Sequence, residues 1–297
     1  KNVGFNIEID QESVKGTLNY TNPNYDFLGN ALRYYLTSET NDQPDQGYEN
    51  TIIGAGISTT FEQYNDVYTT LGINAAHDDL QTLDSASASL KKQSGTFDEI
   101  SGTYGFTFDK RNRSFMPTDG SIISFSQSLP IYADKSFISN TLSASTYRTI
   151  TEDVIGATKI YLSAINGLGS DDVRLSKRRA LSGSRLRGFE KGKVGPLDGN
   201  DHIAGNYAAA LNFEANLPNF FPEATQTDIG FFLDFGNVWG VDYDDSIDDS
   251  NKIRSSTGAV VNWNSPLGPM NFTLATNISK ASTDVTESFN FNLGTTF

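Results

Sequence analysis

The sequence contains no cysteine, which excludes a disulfide framework, a thiolate metal site and a cysteine nucleophile. The absence leaves the compartment open, although it removes a hazard of an oxidising one. Histidine is nearly as scarce, with only His77 and His202. No run approaches the roughly 18 apolar residues of a membrane-crossing helix. Basic residues are also short: 22 Lys and Arg stand against 36 Asp and Glu, a net charge of −14. Because neutralising phosphates needs Lys and Arg, nucleic acid drops out as a main partner. The chain opens at Lys1 without a basic, then apolar, then small-residue leader, as expected of a mature fragment or of a cytosolic protein.

What the chain does have is 20 Phe, 13 Tyr and 26 Gly among 297 residues, with only 2 Met. That composition belongs to strands and turns rather than helices. A transmembrane strand needs only about 9–11 alternating residues, so a chain that looks polar on average can still cross a bilayer.

Alternation with period 2 runs through most of the chain. Val3, Phe5, Ile7 and Ile9 alternate with Gly4, Asn6, Glu8 and Asp10; Ile229, Phe231, Leu233 and Phe235 alternate with Gly230, Phe232, Asp234 and Gly236. Marking such runs predicts about fourteen strands, near 2–10, 13–21, 30–37, 49–61, 66–77, 99–110, 120–129, 137–148, 154–164, 206–216, 227–236, 255–264, 270–278 and 286–297. Only Thr82 to Lys92 offers a helical reading, and it reads equally well as a Ser/Ala-rich loop. The polar faces are mostly Ser, Thr, Asn and Gly, which suits a barrel wet inside and greasy outside.

Long polar connections at 38–48, 78–98, 165–205 and 237–254 alternate with shorter joins. The expected fold is therefore all-β: a transmembrane antiparallel up-and-down β-barrel in one domain, 1–297, with both termini at the periplasmic end and Phe297 in the apolar belt. The acidic stretch Asp242 to Asp249 lacks an ordered calcium-ligand pattern and is expected to be a solvated loop.

Five stretches resemble the BamA family of outer-membrane barrel-assembly factors. Ser182-Gly183-Ser184-Arg185-Leu186-Arg187-Gly188-Phe189-Glu190 looks like the family's Arg-Gly-Phe signature on its longest loop. Phe115-Met116-Pro117-Thr118-Asp119-Gly120 is similar to a periplasmic turn. Phe231 to Trp239 and Gly258 to Pro269 resemble two further strands with their turn, and Phe289 to Phe297 resembles the closing strand. The match is strong across Asp109 to Phe297 and weaker before it. The family barrel has sixteen strands and is preceded by POTRA domains. Thr21-Asn22-Pro23 resembles the turn between its fourth and fifth strands, so Lys1 falls near the start of the third. On that count the sequence is a fragment, or this member builds a smaller barrel.

The resemblance implies that the 165–205 loop folds back into the lumen. Arg187 would there need carboxylates of planar geometry. Parity points Asp234, Glu214 and Asn212 inward. The family usually has Glu where this chain has Asn212, so Glu214 is expected to take over the partnership. Gly188 allows a tight backbone, Phe189 wedges the loop against the wall, and Gly230 and Gly236 leave room for the arginine. The resemblance also implies a weak seam between the first and last strands. There Gly294, Phe297, Asn290 and Asn292 form the closing strand, and Gly294 weakens pairing.

The function implied is folding and insertion of client β-barrels without covalent chemistry, cofactor or nucleotide, an edge strand pairing with the client. The implied partners are unfolded outer-membrane proteins, periplasmic chaperones, accessory assembly lipoproteins and outer-membrane lipid, in the bacterial outer membrane. An enzyme is not expected, since no Gly-x-Ser-x-Gly elbow, Walker loop or paired histidine motif occurs. Two alternatives stay open. One is a porin using lumen charges such as Glu8, Lys15, Arg33 and Lys159; the other is a two-partner-type protein secretion transporter.

Overall fold

The computed structural model describes residues 1–10, 12–114, 116–218, 220–222, 225–248, 251–265 and 268–293. The strands in chain order are β1 (Asn2–Ile9), β2 (Ser13–Asn22), β3 (Ala31–Gln43), β4 (Tyr48–Tyr64), β5 (Val67–Thr82), β6 (Gly95–Asp109), β7 (Gly120–Ala133), β8 (Phe137–Thr151) and β9 (Val154–Gly167). Next come a small hairpin, β10 (Leu197–Asp198) and β11 (Asp201–His202), then β12 (Tyr207–Leu217), β13 (Thr227–Trp239), β14 (Arg254–Ser265), β15 (Gly268–Ser279) and β16 (Phe289–Leu293). All but the hairpin form one 14-stranded sheet in which each strand pairs antiparallel with its successor. Among the described residues β1 pairs only with β2, and β16 only with β15.

Alternation decides the faces. Val3, Phe5, Ile7 and Ile9 on β1, Leu36 on β3, Ile53 on β4 and Phe231 on β13 are exposed on the outer side. Their neighbours one residue away turn inward, where Asp78, Glu99, Asn212 and Asp234 are buried. Polar residues are buried there because the 168–206 connection between β9 and β12 fills the space the sheet encloses. That connection carries Leu181, Leu186, Phe189 and Val194, which pack on Ala208, Ala210 and Val238 of β12 and β13.

Several strands run further than hydropathy indicates. The expected loop at 38–48 is mostly strand, because the β3–β4 ladder continues to Gln43↔Tyr48. Beyond the apolar belt both faces of a strand are polar, so alternation disappears while pairing does not: Asn41 donates to Asn50 at 3.0 Å. The same effect shortens the expected 78–98 loop to 83–94, and within it Ala88–Lys91 forms one helical turn, α1, capped by Ser87. At the chain's end the strand begins at Phe289 rather than at 286, since Thr286 bridges to Phe189 instead.

In the acidic stretch Asp245 and Asp248 are exposed, as expected of a solvated loop, but Asp242 and Asp244 are tied down, while Asp249 lies outside the described residues. Asp242 accepts hydrogen bonds from Arg178 (2.6 Å), Asn206 (2.8 Å) and the backbone N–H of Val173 (2.9 Å). Asp244 accepts from Ser246 and from Ser89, tying this connection to α1. Those bonds, to Ser246 first and then Ser89, lower the Asp244 carboxyl to about 2. A depressed carboxyl contributes stability above its unfolded value, and the contribution is lost as pH falls through the folded one. The Ser89–Asp244 contact should therefore survive acidification below pH 3.8 and release only near pH 2, measurable by amide exchange at Ser246.

Candidate functional site

The lumen loop is fastened at one point by four side chains from three elements. The Arg187 guanidinium meets both oxygens of Asp234, its Nε donating to Oδ2 at 2.8 Å and its Nη2 to Oδ1 at 2.6 Å. The backbone N–H of Arg187 donates to the same carboxylate at 3.1 Å. Its Nη1 lies 2.9 Å from Oε1 of Glu214, whose other oxygen is 2.9 Å from Nζ of Lys159. Asn212 donates to Asp234 at 2.8 Å and to the carbonyl of Arg185 at 2.9 Å. Parity explains the convergence: Asn212 and Asp234 are register partners across β12 and β13, and Lys159 faces Asn212 across β9 and β12.

Asp234 is wholly buried and Arg187 is 7% exposed. A charge so placed is tolerable only when paired with good geometry, and here two cations meet two anions. The planar guanidinium also lies over the Phe232 ring, 3.9 Å from its centroid, a face-on contact that ammonium groups make less often.

The backbone after Arg187 is held as firmly. Ser256 donates to the carbonyl of Arg187, and Asn277 donates to the carbonyl of Gly188 at 2.8 Å. Gly188 has φ +86°, and a Cβ there would sit 3.0 Å from the Ala275 side chain. Gly188→Ala is expected to weaken loop docking by about 1–2 kcal/mol from the left-handed backbone alone, read as faster amide exchange across 182–194. Phe189 is buried in a cluster with Leu186, Val194, Ala208 and Ala210 of β12 and Val238 of β13.

The structure thus brings together Arg187, Gly188, Phe189, Asp234, Glu214 and Asn212. It corrects the two glycines. A Cβ on Gly236 would meet Leu181 at 2.9 Å and Leu186 at 3.2 Å, and one on Gly230 would meet Asn216 at 2.3 Å. The room they leave is filled by apolar loop side chains and by Asn216, because the guanidinium approaches over Phe232. Of the expected seam residues, Gly294 and Phe297 lie outside the described residues. Asn290 and Asn292 sit on β16 opposite Thr273 and Asn271. Asn290 donates to Glu287 at 2.9 Å, and Asn292 to Asn290 at 2.6 Å.

Further anchors were not anticipated. Arg254, wholly buried, donates to both oxygens of Asp284 and to Asn237. Near the other side of the lumen, Arg174 and Lys177 share Glu99, while Ser176 donates to Asp78 at 2.6 Å. The cluster of Arg174, Lys177, Arg178 and Arg179 inside one long loop was the available signal, together with the inward parity of Asp78 and Glu99.

An up-and-down antiparallel sheet, apolar outside, polar inside and filled by an ion-paired loop, defines a plugged transmembrane β-barrel. The chain belongs to the Omp85 superfamily, whose domain matches residues 1–297. Outer membrane protein assembly factor BamA of Neorickettsia risticii is 24% identical over 86% of this chain and 35% of its own length. BamA of Neisseria meningitidis serogroup B is 24% identical over 100% of this chain and 43% of its own length. The chain thus spans less than half the length of these curated relatives. The crystal structure of BamA from Haemophilus ducreyi lacking POTRA domains 1–3 superposes with a TM-score of 0.86 at 24% identity, covering 97% of this chain and 63% of that one. The protein is a BamA-like barrel of the bacterial outer membrane.

Proposed function

We propose that this chain belongs to the membrane barrel of an outer-membrane protein assembly factor, which folds and inserts client β-barrels through a weak seam between the barrel's first and last strands. The reading rests on the family together with one observation: among the described residues β1 and β16, at the ends of the sheet, pair with one strand each, beside an inner space into which a loop packs. A free strand edge is a template for another strand, a hazard in most proteins and a means of capture here. Arg187, held by Asp234 and Glu214, keeps the loop seated while the edges open. No covalent step or nucleotide is involved. The partners are unfolded outer-membrane proteins, delivered by periplasmic chaperones, with accessory lipoproteins and outer-membrane lipid around the barrel.

An open channel fits less well. The filled lumen and the pairing of Lys15 with Glu39 and of Lys159 with Glu214 leave fewer unpaired charges to select ions.

The test uses single cysteines in β1 and β16, at positions such as Gly4 and Asn290, in the full protein reconstituted in liposomes. Residues 1–297 contain no cysteine, and with any cysteine elsewhere in the full protein replaced, cross-linking has no background. An unfolded barrel client should fold rapidly with the reduced form, and folding should slow at least tenfold once the strands are joined. Equal rates would remove the seam from the mechanism. Failure of the reduced form to fold any client, coupled with a wide steady conductance, would favour a channel.

A further inference from the structure

The outer surface of a barrel is convex, yet here part of the bilayer-facing side is hollow. Register aligns the outward residues of β2 to β6 into rows: Leu18, Leu36, Ala55, Ala75 and Ile100 form one, and Tyr20, Tyr34, Ile57 and Ile73 the next towards the periplasmic turns. Ala55 and Ala75 are direct cross-strand partners. Two methyl groups therefore lie side by side between tall neighbours. Leu36 (56% exposed) and Ile73 (52% exposed) stand above that floor. The result is an open hollow of about 600 Å³ running from Val3 on the first strand to Ala75 on the fifth.

Its rims differ in chemistry. Towards the external side the next outward row brings His77 beside Asp98, at 2.6 Å. Towards the periplasmic side it ends at Tyr20 and Tyr34, whose rings lie 6.2 Å apart. Aromatic side chains with a hydroxyl settle at the boundary between hydrocarbon and headgroups. A chain lying in the hollow thus has hydroxyl groups available at its periplasmic end and a paired histidine and carboxylate at its external end.

We propose that this hollow is a binding site for one acyl chain of a phospholipid from the inner, periplasmic leaflet, its headgroup beside the Tyr20 and Tyr34 hydroxyls. The occupant follows from continuity with the bilayer-facing belt and from that asymmetry. The mutually paired His77 and Asp98 offer no net positive charge to the phosphates of the external leaflet's lipids, whereas the tyrosines accept a zwitterionic or neutral headgroup region. Every outward residue touches lipid. What sets this place apart is that methylene groups contact walls as well as a floor, and dispersion contacts add up with the number of neighbours. The seated lipid lies against Val3 of β1. This inference needs only the membrane location, and it stands whether or not the chain assembles clients.

The test exploits the absence of cysteine from residues 1–297, any cysteine elsewhere in the full protein being replaced. Ala75→Cys on the hollow and Ile131→Cys on the outer face of β7 are each labelled with a small fluorophore in the full protein, reconstituted in phosphatidylcholine bilayers. Phosphatidylethanolamine carrying a doxyl group on its acyl chain is added in steps of a few mole per cent. A site predicts half-maximal quenching at Ala75→Cys at a doxyl-lipid fraction at least threefold lower than at Ile131→Cys. Filling the floor with Ala55→Leu, or with Ala55→Phe if the former leaves the effect, should bring the two positions together. Heat-modified gel mobility verifies that each variant is folded. Equal quenching at both positions in the unfilled protein would overturn the site. Preferential quenching that lipopolysaccharide competes away and unlabelled phospholipid does not would overturn the assignment to the inner leaflet.

Discussion

Replacing Arg187 by Ala should release the lumen loop and abolish most client assembly. The substitution leaves Asp234, with no exposed surface, facing Asn212 and an empty space. It also leaves Glu214 with Lys159 alone. Removing one partner of a buried pair costs about 3–5 kcal/mol, and residual water in the lumen reduces that figure. The expected result is cleavage of the 182–194 segment by external protease at concentrations that leave the native protein intact. Transient conductance should rise as the loop moves out. Arg187→Lys should recover only part of the effect, because an ammonium cannot span both Asp234 oxygens while lying over the Phe232 ring. Unchanged protease resistance together with normal assembly would show that the cluster is ordinary lumen packing.

Asp284→Ala should have an effect of similar size by a different route. Arg254 has no exposed surface and takes both oxygens of Asp284. Its remaining partners include the side chain of Asn237, at 2.6 Å, and the carbonyl of Lys252, at 2.8 Å, both neutral. The buried arginine would lose its two-pronged carboxylate partner, at a cost of up to about 3–5 kcal/mol. The consequence is local. The 280–288 connection also pairs with the lumen loop, Glu190 donating to Val285 at 3.0 Å and Val285 to Lys193 at 3.2 Å. Losing Asp284 should therefore raise exchange at both Glu190 and Val285, whereas Arg187→Ala should raise it first near Leu186. A change in neither segment would mean that Arg254 finds another anion.

Particular residues show how far the chain was legible. Arg187 and Asp234 could be paired before any coordinates, because one belongs to a recognisable loop run and the other has inward parity on a strong alternating strand. Glu214 followed from the same face two residues from Asn212. Asp284 could not be reached: it lies in a connection without periodicity, and its partner Arg254 begins a strand. Nor could the anchoring of Asp242 and Asp244 be read, since a wholly solvated acidic loop and one that holds Arg178 have the same composition. The strand ends at Gln43 and Thr82 were hidden because hydropathy reports only the part of a strand that one face buries in lipid.

The sequence by itself determined the strands, their number and which side of each meets lipid, since the period-2 pattern is a local property of consecutive residues. The tertiary structure alone decided which charge meets which. A lumen loop of nearly forty residues can place its arginines against many inward carboxylates, and local sequence carries no term for such long-range pairing. That choice falls to the packing of Leu181, Leu186 and Phe189 on β12 and β13, which sets the loop's depth and so brings Arg187 to Asp234.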